Sequence, residues 1–225
     1  METKEISVHR ALTELKTLDK RITAAIGTGT FIIANRHNNL KINGMTVDNF
    51  KDKVIKASYQ KVEDLIDYRN SLKRAVILSN AGIDLKNKEV VDSLKRYEIA
   101  GEKMTLAEII DYDTVVKYKM AFLDVLKRQY REANYEVIKQ NNCLDTNLQK
   151  YLSVAAAGRD AKNSEDDAKF IKSLSDDYIT QYTYDLIDPL NLQEKIEELS
   201  DKIDAYTVDI DAVKSEANAT TVITV

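Results

Sequence analysis

The sequence predicts a mainly α protein in which long antiparallel helices form a bundle, with a small antiparallel β element, a hairpin plus a C-terminal strand. Apolar residues recur at spacings of three and four over several long segments, which is the pattern of one helix face. One proline and six glycines leave these segments rarely interrupted. A unit also occurs twice, at 42–50 and 99–109: a glycine turn, then Met-Thr opening an amphipathic segment, with two extra residues in the second turn.

The length and charge of the chain narrow the class of protein. We expect one elongated helical domain over 1–225, with a β insert at about 31–43 and a second β or turn segment at about 95–104. The 33 basic and 37 acidic residues are interspersed and give a net charge of −4, so we expect no nucleic-acid binding. The sequence shows no bilayer-spanning apolar run and no signal peptide, so we expect synthesis in the cytoplasm and no membrane association.

The first helix is predicted over residues 3–26. Its apolar seam comprises Val8, Ala11, Leu15, Leu18, Ile22 and Ala25. A seam of this spacing predicts a partner helix, and Gly27–Thr30 ends the segment. Phe31–Ala34 then has the composition of a strand, and Arg36–Asn39 has that of a turn. Because Leu40–Ile42 follows as a second strand, we expect a β-hairpin here.

The second helix is predicted from about Val47 to about Ser79, with Thr46 as its N-cap. The segment that follows is less regular. Glu89–Leu94 fits either a helical turn or a strand, and Arg96–Ile99 is expected to be extended. A capping box then marks the start of the third helix, because Thr-Leu-Ala-Glu at 105–108 lets two side chains satisfy two free backbone donors.

The third helix is predicted over about 106–155, with Gln140–Asn142 as the point where it kinks or breaks. Ser164–Asp167 begins the fourth helix. Its inward-facing residues are expected to be Ala168, Ile171, Leu174, Tyr178 and Ile179. Asp188-Pro189 separates it from the last helix, over about 190–217, because proline disfavours helix at the preceding residue.

The C-terminal run at about 220–225 is rich in β-branched residues, which predicts a strand. No neighbouring segment in the sequence is available to pair with it. Its partner is the hairpin near Phe31, the segment near Ile99 or another subunit, and the pattern does not choose among them.

The residue types that act in catalysis or bind metals in other proteins form no recognisable motif in this sequence. No motif places a nucleophile or a carboxylate beside His9 or His37, so both are interpreted as structural or surface residues. Cys143 is interpreted as a small buried hydrophobe, and acidic neighbours such as Asp176 and Asp177 as a solvated face. We therefore expect a protein that is not an enzyme, with no catalytic residue, no cofactor and no metal site.

Tyrosine is the residue type that suggests a functional surface. The chain has twelve tyrosines and no tryptophan, and tyrosine is frequent at interfaces because its large ring carries a polar group. Packing in the core, with hydroxyls at the rim, is the competing interpretation. The candidate protein-interface residues are Tyr178, Tyr182, Tyr184, Val222, Ile223 and Val225.

Several stretches spread along most of the chain carry a resemblance. They are Val8–Leu15, Leu18–Ile22, Leu72–Ala81, Gly101–Glu108, Asp188–Leu190, Glu194–Leu199 and Asp211–Thr220. In combination they resemble helical proteins encoded by phages and prophages of Gram-positive bacteria. These motifs concern packing and capping, so they specify a fold better than a role. The resemblance implies a virion component, or a protein used in building the virion, and it carries no catalytic residues.

The function we expect is that of a non-enzymatic structural or assembly protein of a phage particle, a component of capsid, connector or tail. Such a protein would self-associate or bind other virion proteins through coiled-coil-like helix seams and strand edges. It would occur in the host cytoplasm during assembly and then in the virion. The alternative is a soluble phage protein that binds a host factor or acts as an assembly chaperone. A helical hydrolase or metal enzyme would need convergent side chains that the sequence does not indicate.

Overall fold

The computed structural model describes residues 6–83, 94–157, 159 and 164–220. It confirms the predicted fold class, because the protein is mainly helical and its strands form small antiparallel sheets of two strands each. The segment 89–93, which the sequence left open between helix and strand, lies outside the described residues. The same holds for the predicted interface residues Val222, Ile223 and Val225 and for the strand expected there.

Helices make up most of the described chain. They are α1 (Val8–Thr28), α2 (Val47–Phe50), α3 (Ala57–Asn80), α4 (Leu106–Asn142), α5 (Leu144–Ala155), α6 (Glu165–Tyr182) and α7 (Leu192–Thr220). A π-helical turn, Lys51–Lys56, continues α2 into α3. The predicted third helix is divided at Cys143, one residue beyond the predicted weak point, into α4 and α5. α7 reaches Thr220, the first residue of the strand expected at the C-terminus.

The strands are short. They are β1 (Ile33–Arg36), β2 (Lys41–Ile42), β3 (Met45–Thr46), β4 (Tyr97–Ile99), β5 (Glu102–Met104) and β6 (Tyr184–Ile187). β1 pairs with β6, β2 with β3 and β4 with β5, each pair antiparallel.

The unit that the sequence repeats is a β-hairpin followed by a capped helix. In the first copy Asn43 and Gly44 connect β2 to β3 with φ of 51° and 80°. In the second copy Ala100 and Gly101 connect β4 to β5 with φ of 46° and 83°. Two consecutive positive φ angles are characteristic of a type I′ turn. The prediction of a longer second turn is wrong, because the two extra residues extend the returning strand.

Threonine begins the helix after each hairpin. Thr46 Oγ1 accepts the backbone N–H three residues on at 3.4 Å. The predicted capping box is confirmed: the Thr105 N–H donates to the Glu108 carboxylate at 2.7 Å, and Thr105 Oγ1 accepts the Glu108 N–H at 3.4 Å. Ser164 caps α6 by the same geometry, and the Asp188 carboxylate accepts the first N–H of α7 at 2.8 Å.

The pairing predicted between Phe31–Ala34 and Leu40–Ile42 is wrong, since β1 pairs with β6 and β2 pairs with β3. A turn over Arg36–Asn39, closed by a backbone hydrogen bond of 2.9 Å, ends β1. The Asn43–Gly44 turn then offers β2 a nearer partner, and closing a short loop costs less entropy than closing a long one. β1 is left to pair with a strand distant in sequence.

The described residues group into two compact units. The first unit contains the described parts of Met1–Gly29, Ser58–Leu126 and Gln193–Val225, and the second contains those of Thr30–Ala57 and Lys127–Leu192. α4 and α7 contribute residues to both.

In the first unit, helices pack around a buried apolar core. Its most enclosed side chains include Leu18, Ile22, Val62, Ile109, Val115 and Leu126. α3 and α4 are antiparallel: Arg74 near the end of α3 pairs with Glu108 near the start of α4 at 2.8 Å. At the other end of the contact, the rings of Tyr59 and Phe122 lie 5.3 Å apart. The predicted antiparallel helix packing is therefore confirmed here.

A buried ionic network joins three helices of the first unit. Arg69 of α3 is only 5 % exposed. Its Nε donates to the Asp19 carboxylate of α1 at 3.1 Å, and its Nη1 donates to Asp111 of α4 at 3.3 Å. Tyr118 donates its hydroxyl proton to Asp19 at 2.8 Å, and Lys73 pairs with Asp111 at 3.1 Å. The network compensates the charge of a guanidinium that is almost completely buried.

In the second unit, none of the 18 residues of α6 is buried. The prediction that Ala168, Ile171, Leu174, Tyr178 and Ile179 lie inside is therefore wrong: Ile179 is exposed and the others are half-buried. α6 packs on α5, and this contact leaves its apolar face partly open. Cys143, predicted to be buried, is exposed because it lies at the junction between α4 and α5.

Candidate functional site

The predicted tyrosine cluster is partly assembled in the second unit. Tyr178 and Tyr182 lie one turn apart on α6, and their rings stack with centroids 4.3 Å apart and an interplanar angle of 15°. Tyr151 of α5 extends the row, with its ring centroid 4.9 Å from that of Tyr178. The guanidinium of Arg36 lies 5.0 Å from the Tyr182 ring centroid, a cation–π contact. Three rings and one cation thus form a continuous row.

Tyr184, the third predicted tyrosine, has a different setting. It is the first residue of β6, and one side chain of α4 forms hydrogen bonds with both its backbone N–H and its backbone carbonyl. The Tyr184 N–H donates to Asn141 Oδ1, and Asn141 Nδ2 donates to the Tyr184 carbonyl, each at 2.9 Å. The Asn141 amide therefore takes the role of a neighbouring strand at this residue.

Exposed apolar side chains accompany the tyrosine row on the same two helices. Tyr151, Val154, Phe170 and Ile179 are 40 %, 78 %, 37 % and 39 % exposed. We call these four residues, with Tyr178 and Tyr182, the α5–α6 surface. The sequence placed Tyr151 on the face of a long helix and gave no signal for Val154 or Phe170, since exposure depends on which helices pack together.

A cavity of about 420 Å³ lies within the first unit. Its volume falls in the range typical of small-molecule sites. Aromatic rings from three helices line it: Tyr59 of α3, Phe122 of α4 and Tyr206 of α7. The turn of the second hairpin also contributes, through Ala100 and Gly101.

Carboxylates and ammonium groups line the same cavity. Glu63 and Asp67 lie one turn apart on α3, Lys119 comes from α4, and Lys202 comes from α7. Burial raises the pKa of Glu63, and the Asp67 carboxylate raises it further. Burial likewise raises the pKa of Asp67, with Glu102 adding to the effect. Lys195 and Lys202 lower the pKa of Glu63, and Lys119 lowers that of Asp67, so these ammonium groups offset part of the rise.

The Lys119 ammonium is held against an aromatic ring. Its Nζ donates to the Tyr206 hydroxyl at 3.4 Å and lies 4.4 Å from the centroid of that ring. Tyr206 in turn donates its proton to the Glu102 carboxylate. Burial raises the pKa of Tyr206 above its ordinary range, and it lowers the pKa of Lys119. Among the described residues, no carboxylate lies within ion-pair distance of Lys119.

No sequence pattern marks this cavity. The spacing of Glu63 and Asp67 indicates a shared helix face, but many carboxylates of this chain are spaced so. Lys119 and Tyr206 are brought to them only by the packing of α4 and α7.

The two histidines belong to different units. His9 is exposed on α1, and His37 follows β1. Within the described part of the chain, no group of three or more His, Cys, Asp or Glu side chains is placed to hold a metal ion. None of the helices that the structure describes combines the length and apolar composition needed to cross a membrane.

Comparison of the chain with known proteins adds no identification. No family model, no curated protein and no solved structure matches it.

Proposed function

We propose that this chain is a non-enzymatic structural or assembly protein of a phage particle, a component of capsid, connector or tail, that acts through contacts between neighbouring copies. The observation that carries the proposal is the α5–α6 surface. A helix of 18 residues with an apolar stripe normally buries that stripe, whereas α6 buries none of its residues in a single copy. A second chain packed on α6 would remove this apolar area from water.

The chemistry of the surface also favours a protein partner. Tyr178 and Tyr182 present stacked rings with polar tips, and tyrosine is enriched at protein interfaces. Phe170 and Ile179 add apolar area on the same helix. A second copy of the chain is the partner we favour, because symmetric homo-oligomers are the commonest outcome of such surfaces. The assignment to a phage particle rests on the resemblance of stretches such as Gly101–Glu108, and it implies a location in the host cytoplasm and then in the virion.

Sedimentation analysis over a range of protein concentrations tests self-association. The wild-type chain should form a defined oligomer, and Val154→Lys combined with Ile179→Lys should give a monomer. Both side chains are exposed, so the double variant should keep its helical circular dichroism spectrum. Tyr135→Lys is the control, because Tyr135, which is 67 % exposed, is also an exposed large side chain of the second unit but lies on α4. A wild-type monomer at every concentration would refute self-association.

Mass spectrometry of purified particles tests the phage assignment. A structural component should be present in particles in many copies. A chain absent from particles, and present instead as a small defined species in solution, would support a soluble phage protein that binds a host factor or acts as an assembly chaperone.

A further inference from the structure

We propose that the cavity of the first unit binds a small zwitterion of the amino-acid class, with Lys119 and Lys202 receiving its carboxylate and Glu63 and Asp67 receiving its ammonium group. The proposal is independent of the assembly role, which depends on the second unit.

The charges of the lining carry the argument. Lys195 and Glu198 pair with each other at 2.9 Å, and Glu102 accepts the proton of Tyr206. Two ammonium groups, Lys119 and Lys202, and two carboxylates, Glu63 and Asp67, are left facing one cavity. Within the described ranges none of these four groups takes part in a direct ion pair. Lys202 attracts Glu63 and Lys119 attracts Asp67 across a longer distance, and Glu63 is hydrogen-bonded to the Tyr59 hydroxyl.

A ligand with one charge satisfies only half of this set. An organic cation would compensate Glu63 and Asp67 but add to the repulsion on the two lysines. An anion would compensate the two lysines but add to the repulsion on Glu63 and Asp67. A zwitterion compensates both signs of charge at once. Of the four groups, Lys119 is half-buried while Glu63, Asp67 and Lys202 are exposed, so the half-buried ammonium gains most from such a partner.

The electrostatic cost in the free protein agrees with this assignment. Burial raises the pKa of Glu63 and of Asp67 and lowers that of Lys119, so the ionised form of each group is disfavoured. A bound opposite charge relieves that cost. The rings of Tyr59 and Phe122, 5.3 Å apart, supply an apolar wall for the ligand side chain.

The test uses L-phenylalanine together with two analogues that each lack one charge, phenethylamine and 3-phenylpropionate. Glycine and L-glutamine test whether the side chain matters. Thermal unfolding at about 10 mM ligand and isothermal titration calorimetry at neutral pH measure binding to the full-length protein. At least one amino acid should raise the unfolding midpoint and bind about tenfold or more tightly than its singly charged analogues.

Variants of the lining locate the site. Asp67→Asn and Lys119→Met should each weaken amino-acid binding about tenfold or more. Lys169→Met, which removes an exposed lysine of the second unit, should leave binding unchanged. Should Lys119→Met fail to fold, Asp67→Asn alone decides, because it removes a disfavoured charge and retains the shape.

Three results would overturn the proposal. One is that no amino acid binds. Another is that phenethylamine or 3-phenylpropionate binds as tightly as phenylalanine, which would make this a site for a singly charged ligand. The last is wild-type affinity in Asp67→Asn.

Discussion

His37 bridges the Asp185 carboxylate of β6 and a backbone carbonyl at the end of α6. Its Nε2 lies 2.6 Å from the Asp185 carboxylate of β6, and its Nδ1 lies 2.9 Å from the Thr180 carbonyl in the last turn of α6. Both partners are acceptors, so the doubly protonated imidazolium satisfies both with N–H donors. The hydrogen bond to Asp185 raises the pKa of His37, and the hydrogen bond to Thr180 raises it further.

This bridge predicts a pH dependence of stability. Because the folded-state pKa of His37 is raised, the stabilisation should be complete below its ordinary pKa of about 6.5 and should disappear as the pH rises through the folded-state value. The wild type should therefore exceed His37→Gln in unfolding free energy at acidic pH by more than at alkaline pH. Urea denaturation of both proteins across this range measures the difference. A difference that does not vary with pH would show that His37 is not protonated in the folded bridge.

Removal of Arg69 should be strongly destabilising. Arg69→Met leaves Asp19 and Asp111 without the guanidinium that compensates them, and we expect a loss of about 3 kcal/mol in unfolding free energy. Lys169→Met is the control, because it breaks an exposed pair with Glu165 and should cost less than about 1 kcal/mol. Equal losses in the two variants, measured by denaturant unfolding, would mean that burial of the network does not matter.

Thr105→Ala should lower the unfolding free energy by about 1 kcal/mol, because the N-cap of α4 loses its acceptor. Thr105→Ser keeps the hydroxyl and should retain most of the stability. Chemical denaturation of the three proteins provides the comparison. An unchanged midpoint in the alanine variant would count against the cap.

Ala100 occupies a left-handed conformation that favours glycine. With φ of 46°, Ala100→Gly should raise the unfolding free energy by up to about 1 kcal/mol. Ala24→Gly is the matched control: Ala24 is exposed within α1, and the same substitution there should cost about 1 kcal/mol. Opposite signs are expected in thermal or chemical unfolding; a loss at both positions would indicate that the Ala100 conformation carries no strain.

Local features of the fold were predictable from the sequence. The capping box joins Thr105 to Glu108, three residues apart, and both hairpin turns contain a glycine flanked by strand residues. Interactions of this range depend on a few neighbouring side chains, so the sequence pattern contains them.

The pairing of β1 with β6 was not predictable in this way. Ile33 lies opposite Ile187, and the intervening chain includes α3 and α4. Tyr184–Ile187 is short and directly follows a helix, so no periodicity marks it as a strand. The sequence favoured pairing of Phe31–Ala34 with the nearby segment Leu40–Ile42 instead.

The two candidate sites also differ in whether their residues are close together in the sequence. Tyr178 and Tyr182 are four residues apart on one helix, so their proximity follows from the helical repeat. Asp67 and Lys119 meet at one cavity only because α3 and α4 pack side by side. A helix pattern predicts which residues share a face. It does not predict whether that face is buried, or which charged side chains of different helices line one cavity.

The amide of Asn141 has a consequence for aggregation. In an antiparallel ribbon, alternate residues direct their backbone groups away from the partner strand, and Tyr184 directs its pair to Asn141. An incoming polypeptide could not dock its own backbone there without first expelling the side chain. Asn141 thus occupies, at one end of β6, the backbone hydrogen-bonding groups that an added strand would need.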